Sequence, residues 1–398
     1  MRKRLVTLLL TALLVMAAWP VTASAAPGGT INVYNWGQYI SDGTDGSLDV
    51  IAAFEEETGI KVNYVTFDSN ETMYTKLKTG GSSYDVIIPS DYMVGRLIAE
   101  DMLEPLNFDN IPNYQYVDES FRNTAYDPDN LYSVPYTWGT VGLIYNSKYV
   151  DNVTGWSSLW DPQYAGKILM FDNCRDAFAI AELRLGYSIN SSDPAEYQDA
   201  ANLLQQQKPY VQQYVMDQIF SKMEREEAWL APYYAGDYLT MVEENPDLSF
   251  CLPEEGFNMF IDAMCIPKGC TNKEGAEAFI NFLCDPEISG RNMDYLGYST
   301  PISAAKEYMD PEVANDPVAY PDAETLSRGS SFLALPTEST QLMDSLWLTV
   351  KTAGGNTSFY LWSSAAVLIL VVGLLTIAKI RKKRRIARRG CSRRPDNP

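Results

Sequence analysis

Aromatic rings and acids recur together in this chain, just past the ends of segments that read as strands. Trp36, Gln38 and Tyr39 follow the alternating run that starts at Ile31, and Ser90 and Tyr92 follow Asp85–Ile88. Asp172, Asn173 and Asp176 come directly after Lys167–Phe171, and Tyr233, Tyr234 and Asp237 close a later run. Phe260 and Asp262 lie in an extended stretch, with Tyr298 downstream. A ring face stabilises a nearby cation by about 0.5–2 kcal/mol. A carboxylate fixes an ammonium group through short, charge-assisted hydrogen bonds. The two residue types together suit an alkylammonium ligand. Singly, such a Trp is ordinary core packing and such an acid an ordinary solvated group, so the argument rests on their shared placement.

Composition removes other chemistries. The 398 residues contain no histidine, which excludes Ser-His-Asp and Cys-His catalysis and every His-ligated metal site. The net charge is −20, and much of the basic complement sits at the two chain ends. The part between is therefore more acidic still, which argues against nucleic acid and for cationic ligands. Cys174, Cys251, Cys265, Cys270 and Cys284 form no C-x-x-C pair. Disulfide pairing among them and buried free thiols both remain open. Rings with carboxylates also suit sugars, so a secreted carbohydrate-active enzyme is an alternative. The adjacent Tyr233 and Tyr234 leave a ferric-iron binder or a binder of another small cation as further ones.

Alternating signals supply the scaffold. Strands are predicted at Ile31–Asn35, Ile60–Phe67 and Asp85–Ile88, with helices at Leu48–Glu57, Asn70–Lys78 and Tyr92–Met102 between and after them. Repeated βα units give a mostly parallel sheet whose C-terminal loops meet ligands. Tyr132–Asn146 and Phe257–Pro267 are long extended runs that read as two connectors between lobes. Between them come a strand at Lys167–Phe171, a helix at Cys174–Leu185 and a long helical region over Pro194–Ala228. Short strands follow at Trp229–Ala235 and Leu248–Leu252, and the helix Lys273–Leu283 comes after the second connector.

The two ends read as export signals. Three basic residues, an apolar run and Ala23-Ser24-Ala25 make residues 1–25 a cleaved secretory leader. Phe359–Ala378 is uncharged and spans roughly 30 Å as a helix, one bilayer core. The basic tail over 379–398 would then face the cytoplasm. The expectation is an exported protein on the extracytoplasmic face of the bacterial plasma membrane, anchored by a C-terminal transmembrane helix.

Across residues 31–350 the chain resembles the polyamine-binding components of bacterial ABC importers, the spermidine/putrescine-binding proteins. The resemblance is carried by Tyr34-Asn35-Trp36, by Thr58-Gly59-Ile60-Lys61-Val62, by Pro135-Tyr136-x-Trp138-Gly139, by Gly297-Tyr298-x-Thr300-Pro301 and by Tyr320-Pro321-Asp322-Ala323-Glu324-Thr325. It implies an α/β, two-lobed, periplasmic-binding-protein-like type II fold with a hinge and an interlobe cleft. Lobe one would take residues 26–136 and 260–303, and lobe two 137–259 and 304–355. It implies no catalysis and no cofactor, a polyamine ligand and an ABC permease as partner. The family's ligand contacts fall on Trp36, Tyr39, Ser90, Tyr92, Asp176, Asp262 and Tyr298. Tyr234 and Phe260 stand where the spermidine binder has Trp, and Gln38 and Asn173 where it has carboxylates. Phe332 stands near a Gln of that binder. Asp176 and Asp262 are then the clear acidic contacts, which balances a diamine better than a triamine, unless Asp91 or Asp172 supplies a further charge.

Overall fold

The computed structural model describes residues 28–80 and 83–353. The strands are β1 (Thr30–Trp36), β2 (Lys61–Phe67), β3 (Val86–Ile87), β4 (Ser133–Asn146), β5 (Ile168–Phe171), β6 (Val211–Val215), β7 (Leu230–Tyr234), β8 (Leu248–Cys251), β9 (Phe257–Cys265) and β10 (Gly329–Ser330). They follow the order β2-β1-β3-β9-β4-β7-β5-β6, with β10 beside β9 and β8 beside β4. β1 pairs in parallel with β2 and β3, as expected of successive βα units, and β5 pairs in parallel with β6 and β7.

The two extended connectors are β4 and β9, and they pair with each other antiparallel. Ser133–Thr140 runs along β9, whereas Val141–Asn146 runs along β7 and β8. One 14-residue strand thus belongs to both halves of a two-lobed α/β fold. Its register shifts between Pro135 and Thr137, where Pro135 has no N–H to offer the ladder. Gly139 faces the Phe260 ring so closely that a Cβ would lie 2.7 Å from it. The missing side chain lets that ring seat.

Continuous apolar runs make the buried strands. All four residues of β5, Ile168-Leu169-Met170-Phe171, are wholly buried, as strands covered on both faces must be. Helices are capped by the expected residues: Asp49, Ser69 and Asn173 each accept a backbone N–H of the first turn.

Two expectations are corrected. The long helical region over 194–228 is a helix Pro194–Gln207, then β6, then a helix Gln218–Glu224. Pro209 cannot continue the helix, and Val211-Gln212-Gln213-Tyr214-Val215 forms a strand in parallel beside β5. The expected membrane anchor is not supported either. Among the described residues no helix is long and apolar enough to cross a membrane. The segment 359–378, the basic tail and the leader over 1–25 lie outside the described residues. The fold class stands as two-lobed α/β, and the transmembrane helix is withdrawn from it. The five cysteines between Cys174 and Cys284 are free thiols.

Asp85 ties the first lobe together. It is wholly buried and accepts from the backbone N–H groups of Asn32 (2.8 Å), Thr271 (2.7 Å) and Asn272 (3.0 Å). Burial works to raise its pKa, but these donors outweigh it and the carboxyl sits below its usual range. Asp85→Ala leaves three N–H groups unpaired and is expected to cost about 3 kcal/mol of unfolding free energy. Urea titration checks this; a loss under about 1 kcal/mol would show that the clamp is dispensable.

Candidate functional site

The loop after β1 is fixed before it reaches the cleft. Asn35 accepts from the N–H of Trp36 at 2.8 Å and donates to the Tyr39 carbonyl at 3.2 Å. Tyr136 donates to the same carbonyl at 2.7 Å and is itself held by Asn292. Gln38 takes a positive φ of 50° at the tip of the turn. Tyr39 then turns its hydroxyl onto Asp262 of β9, donating to Oδ2 at 2.6 Å. Ser90 bridges to Asp262 from the end of β3, and its Oγ accepts from Asn70 at 3.1 Å. The other Asp262 oxygen, Oδ1, is buried and has no partner.

Two further carboxylates come from helix N-termini. Asn173 accepts from the N–H groups of Arg175 (3.0 Å) and Asp176 (3.4 Å), which caps the helix Cys174–Leu185 and places Asp176 in its first turn. Tyr234, the last residue of β7, donates to Asp176 Oδ2 at 3.1 Å. Asp237 lies in the first turn of the helix Ala235–Glu244 and lines the cleft together with Tyr298. That ring passes so close to Gly236 that a Cβ there would meet it at 2.4 Å. The result is two phenol–aspartate pairs, Tyr39 with Asp262 and Tyr234 with Asp176, with Asp237 and Tyr298 lining the same cleft.

The same rings form a chain. Tyr39 meets Tyr298 edge-on at 5.1 Å, Tyr298 meets Phe260 at 6.2 Å, and Phe260 meets Tyr234 at 5.4 Å. Trp36 packs against Phe67, and Tyr92 against Phe332. All eleven residues singled out as candidate contacts line one cleft: Trp36, Gln38, Tyr39, Ser90, Tyr92, Asn173, Asp176, Tyr234, Phe260, Asp262 and Tyr298.

Burial pushes Asp176 and Asp237 up to about 7 and Asp262 up to about 6, against the bonds donated to them. The carboxyls therefore sit near the boundary between neutral and charged, and any cation placed among them favours the charged form. Tyr233 and Tyr234 also rise well above the usual phenol range through burial. That disfavours the phenolates a ferric ion requires.

The count of acids differs from the sequence expectation. Neither Asp91 nor Asp172 lines the cleft, and Asp91 is wholly buried away from it. Asp237, Asp217 and Asp68 line it instead, with Asn70 and Asn258. Asp237 was visible as an acid three residues past a Tyr. Asp68 directly follows β2 and was open to the same loop-after-strand rule. Asp217 was hidden, because it follows β6, inside a region that reads as helix.

The chain matches the family model described as bacterial extracellular solute-binding protein over residues 49–321. It is 37% identical over 310 residues to the spermidine/putrescine-binding periplasmic protein of Escherichia coli K12, covering 77% of this chain and 87% of that one. The putrescine-binding periplasmic protein SpuD of Pseudomonas aeruginosa is 31% identical, with 83% and 94% covered. Among solved structures, the spermidine/putrescine ABC transporter substrate-binding protein PotD of Streptococcus pneumoniae is 37% identical with a TM-score of 0.70, covering 82% of this chain and 99% of that one. The relatives named periplasmic agree with an extracytoplasmic location, but the C-terminal anchor expected there has no support in the described residues. On these matches the chain belongs to the bacterial extracellular solute-binding protein family.

Proposed function

We propose that this chain is the substrate-binding component of an ABC importer and that it captures a polyamine, putrescine or spermidine, outside the cytoplasmic membrane. The observation that carries the reading is a pair of buried aspartates, Asp176 and Asp262, each taking a phenol's hydrogen bond, with the half-buried Asp237 beside them in a cleft walled by aromatic rings. Methylene segments lie against the rings while ammonium groups meet the carboxylates. No bond is made or broken: lobe closure around the ligand is the event the permease reads. The lobes divide at the crossing strands, residues up to 136 with 260–303 against 137–259 with the segment from 304, and the change of partner along β4 supports that division. The names of the relatives support the ligand class.

Calorimetric titration with putrescine and spermidine tests this reading. Saturable binding is expected, and Asp176→Asn and Asp262→Asn each weaken it by about 10- to 100-fold, the worth of a charge-assisted contact. Absence of heat and of thermal stabilisation with both amines would overturn it.

The raised acids set a pH dependence with a definite sign. An unfolded aspartate titrates near ~3.9, whereas Asp176 and Asp237 titrate near 7 in the fold. The native state thus holds more protons between those values, and ligand-free stability falls as pH rises from about 4 through 7. A polyamine, whose amines stay charged in this range, has the opposite preference. Its affinity is expected to rise about tenfold or more from pH 5.5 to pH 8, with proton release on binding near pH 6.5. Affinity that is flat over that range would mean the carboxyls do not titrate with the ligand.

A further inference from the structure

Three alternate residues of β9 line the cleft: Asn258, Phe260 and Asp262. Successive side chains of a strand point to opposite faces, so these three share one. Two of them end in an oxygen that receives nothing. Asn258 and Asp262 are each 4% exposed, and among the described residues Asn258 Oδ1 and Asp262 Oδ1 have no hydrogen-bond partner. A buried acceptor left unpaired is destabilising. Two of them on one strand face of a binding cleft point to donors that arrive with the ligand.

The sheet fixes the separation of the two acceptors. Asn258 pairs with Ser330 of β10, and Met259–Cys265 pairs with β4. At about 3.3 Å per residue, four residues of strand set the two positions about 13 Å apart. Phe260 lies between them, its ring seated over Gly139 and met edge-on by Tyr234 at 5.4 Å and Tyr298 at 6.2 Å. An extended chain gains about 1.2 Å per bond, so the nitrogens of a four-carbon diamine lie about 6 Å apart. With a hydrogen bond of about 2.9 Å at either end, such a segment reaches about 12 Å from acceptor to acceptor.

Asn258 also acts on Asp176. Burial raises that carboxyl's pKa, while Tyr234, Arg175 and Asn258 act to lower it. An amide that offers its NH2 to a carboxylate keeps its oxygen for another donor. An ammonium group placed here meets negative charge from Asp176 and a neutral acceptor from Asn258, which suits a group with three N–H donors and no acceptor.

We propose that Asn258 is a ligand contact whose side-chain oxygen takes an ammonium N–H, and that with Asp262 it spans the four-carbon diamine segment common to putrescine and spermidine. This deepens the polyamine reading and rests on it. One ammonium group bonds to the free Asp262 oxygen, the methylenes lie along the Phe260 ring, and the other ammonium group bonds to Asn258 beside Asp176. Asn258 adds a directional bond where Asp176 supplies charge.

The test titrates the full chain and its Asn258→Ala variant with putrescine and with n-butylamine, which has the same four carbons and one ammonium group. Asn258→Ala is expected to weaken putrescine about tenfold, the worth of one hydrogen bond to a charged group. Butylamine is expected to change less than twofold, because its single ammonium group can seat at Asp262. Asn258→Asp keeps an acceptor in place and is expected to bind putrescine at least as tightly as the wild type. If the alanine variant loses its cooperative melt, Asn258→Ser gives the same comparison with a side chain too short to reach, and the same direction is expected. Equal weakening of both amines, or putrescine affinity within twofold of wild type, overturns the Asn258 contact while leaving the polyamine reading standing. A wild-type chain that binds neither putrescine nor spermidine overturns both.

Discussion

Burying a carboxylate without a cation is costly, and this cleft buries two, Asp176 and Asp262, with Asp237 half-buried beside them. Tyr39 and Tyr234 each give one hydrogen bond to a buried aspartate, which satisfies an oxygen but neutralises nothing. No lysine or arginine lines the space among the described residues. Burial raises the pKa values of Asp176, Asp237 and Asp262, although the Arg175 charge acts to lower that of Asp176. The fold holds these groups in place nonetheless, through the Asn173 cap on the helix that carries Asp176 and a pinned loop after β1. The site is preorganised for a positive charge that it does not itself contain, and the cost of that arrangement is recovered when a cation enters.

The scaffold follows from the same requirement. The cleft carboxylates come from separate places: Asp262 from β9, and Asp176 and Asp237 from the first turns of two helices. β4 and β9 are the strands that join the halves, so the residue that accepts Tyr39 lies on the connection itself. Gly139 and Gly236 matter only because rings pass where their side chains would be. At both points the aromatic chain is packed directly on backbone, which leaves it little freedom to adapt to an unsuitable ligand.

Much of this was legible in the sequence, and the failures have physical causes. Strand–loop–helix order located the ends of β1, β3 and β5, and with them Trp36, Ser90 and Asp176. The crossing strands announced themselves as long extended runs. β6 did not, because it is short and follows a strong helix, and Pro209 was the only local sign of the break. Missing β6 meant missing Asp217. Asp91 looked like a cleft acid because it precedes Tyr92, but the first turn of a helix sends neighbouring side chains in different directions: Tyr92 enters the cleft and Asp91 is buried away from it. Sequence proximity to a contact residue does not establish which face a side chain takes.

That error bears on ligand choice. Counting Asp176 and Asp262 alone matched two carboxylates to two ammonium groups, and so favoured a diamine. With Asp237 in the cleft and Asp217 and Asp68 on its lining, the acids outnumber the charges of either amine. Charge therefore cannot rank the two. What separates a diamine from a triamine is length, and length is read by what stops the chain. Tyr92 and Phe332 meet edge-on on the lining of the cleft, and Tyr92 donates to Glu71 and accepts from Asn70. The carboxylates supply attraction to a cation, while the rings set the shape of the space it must fill.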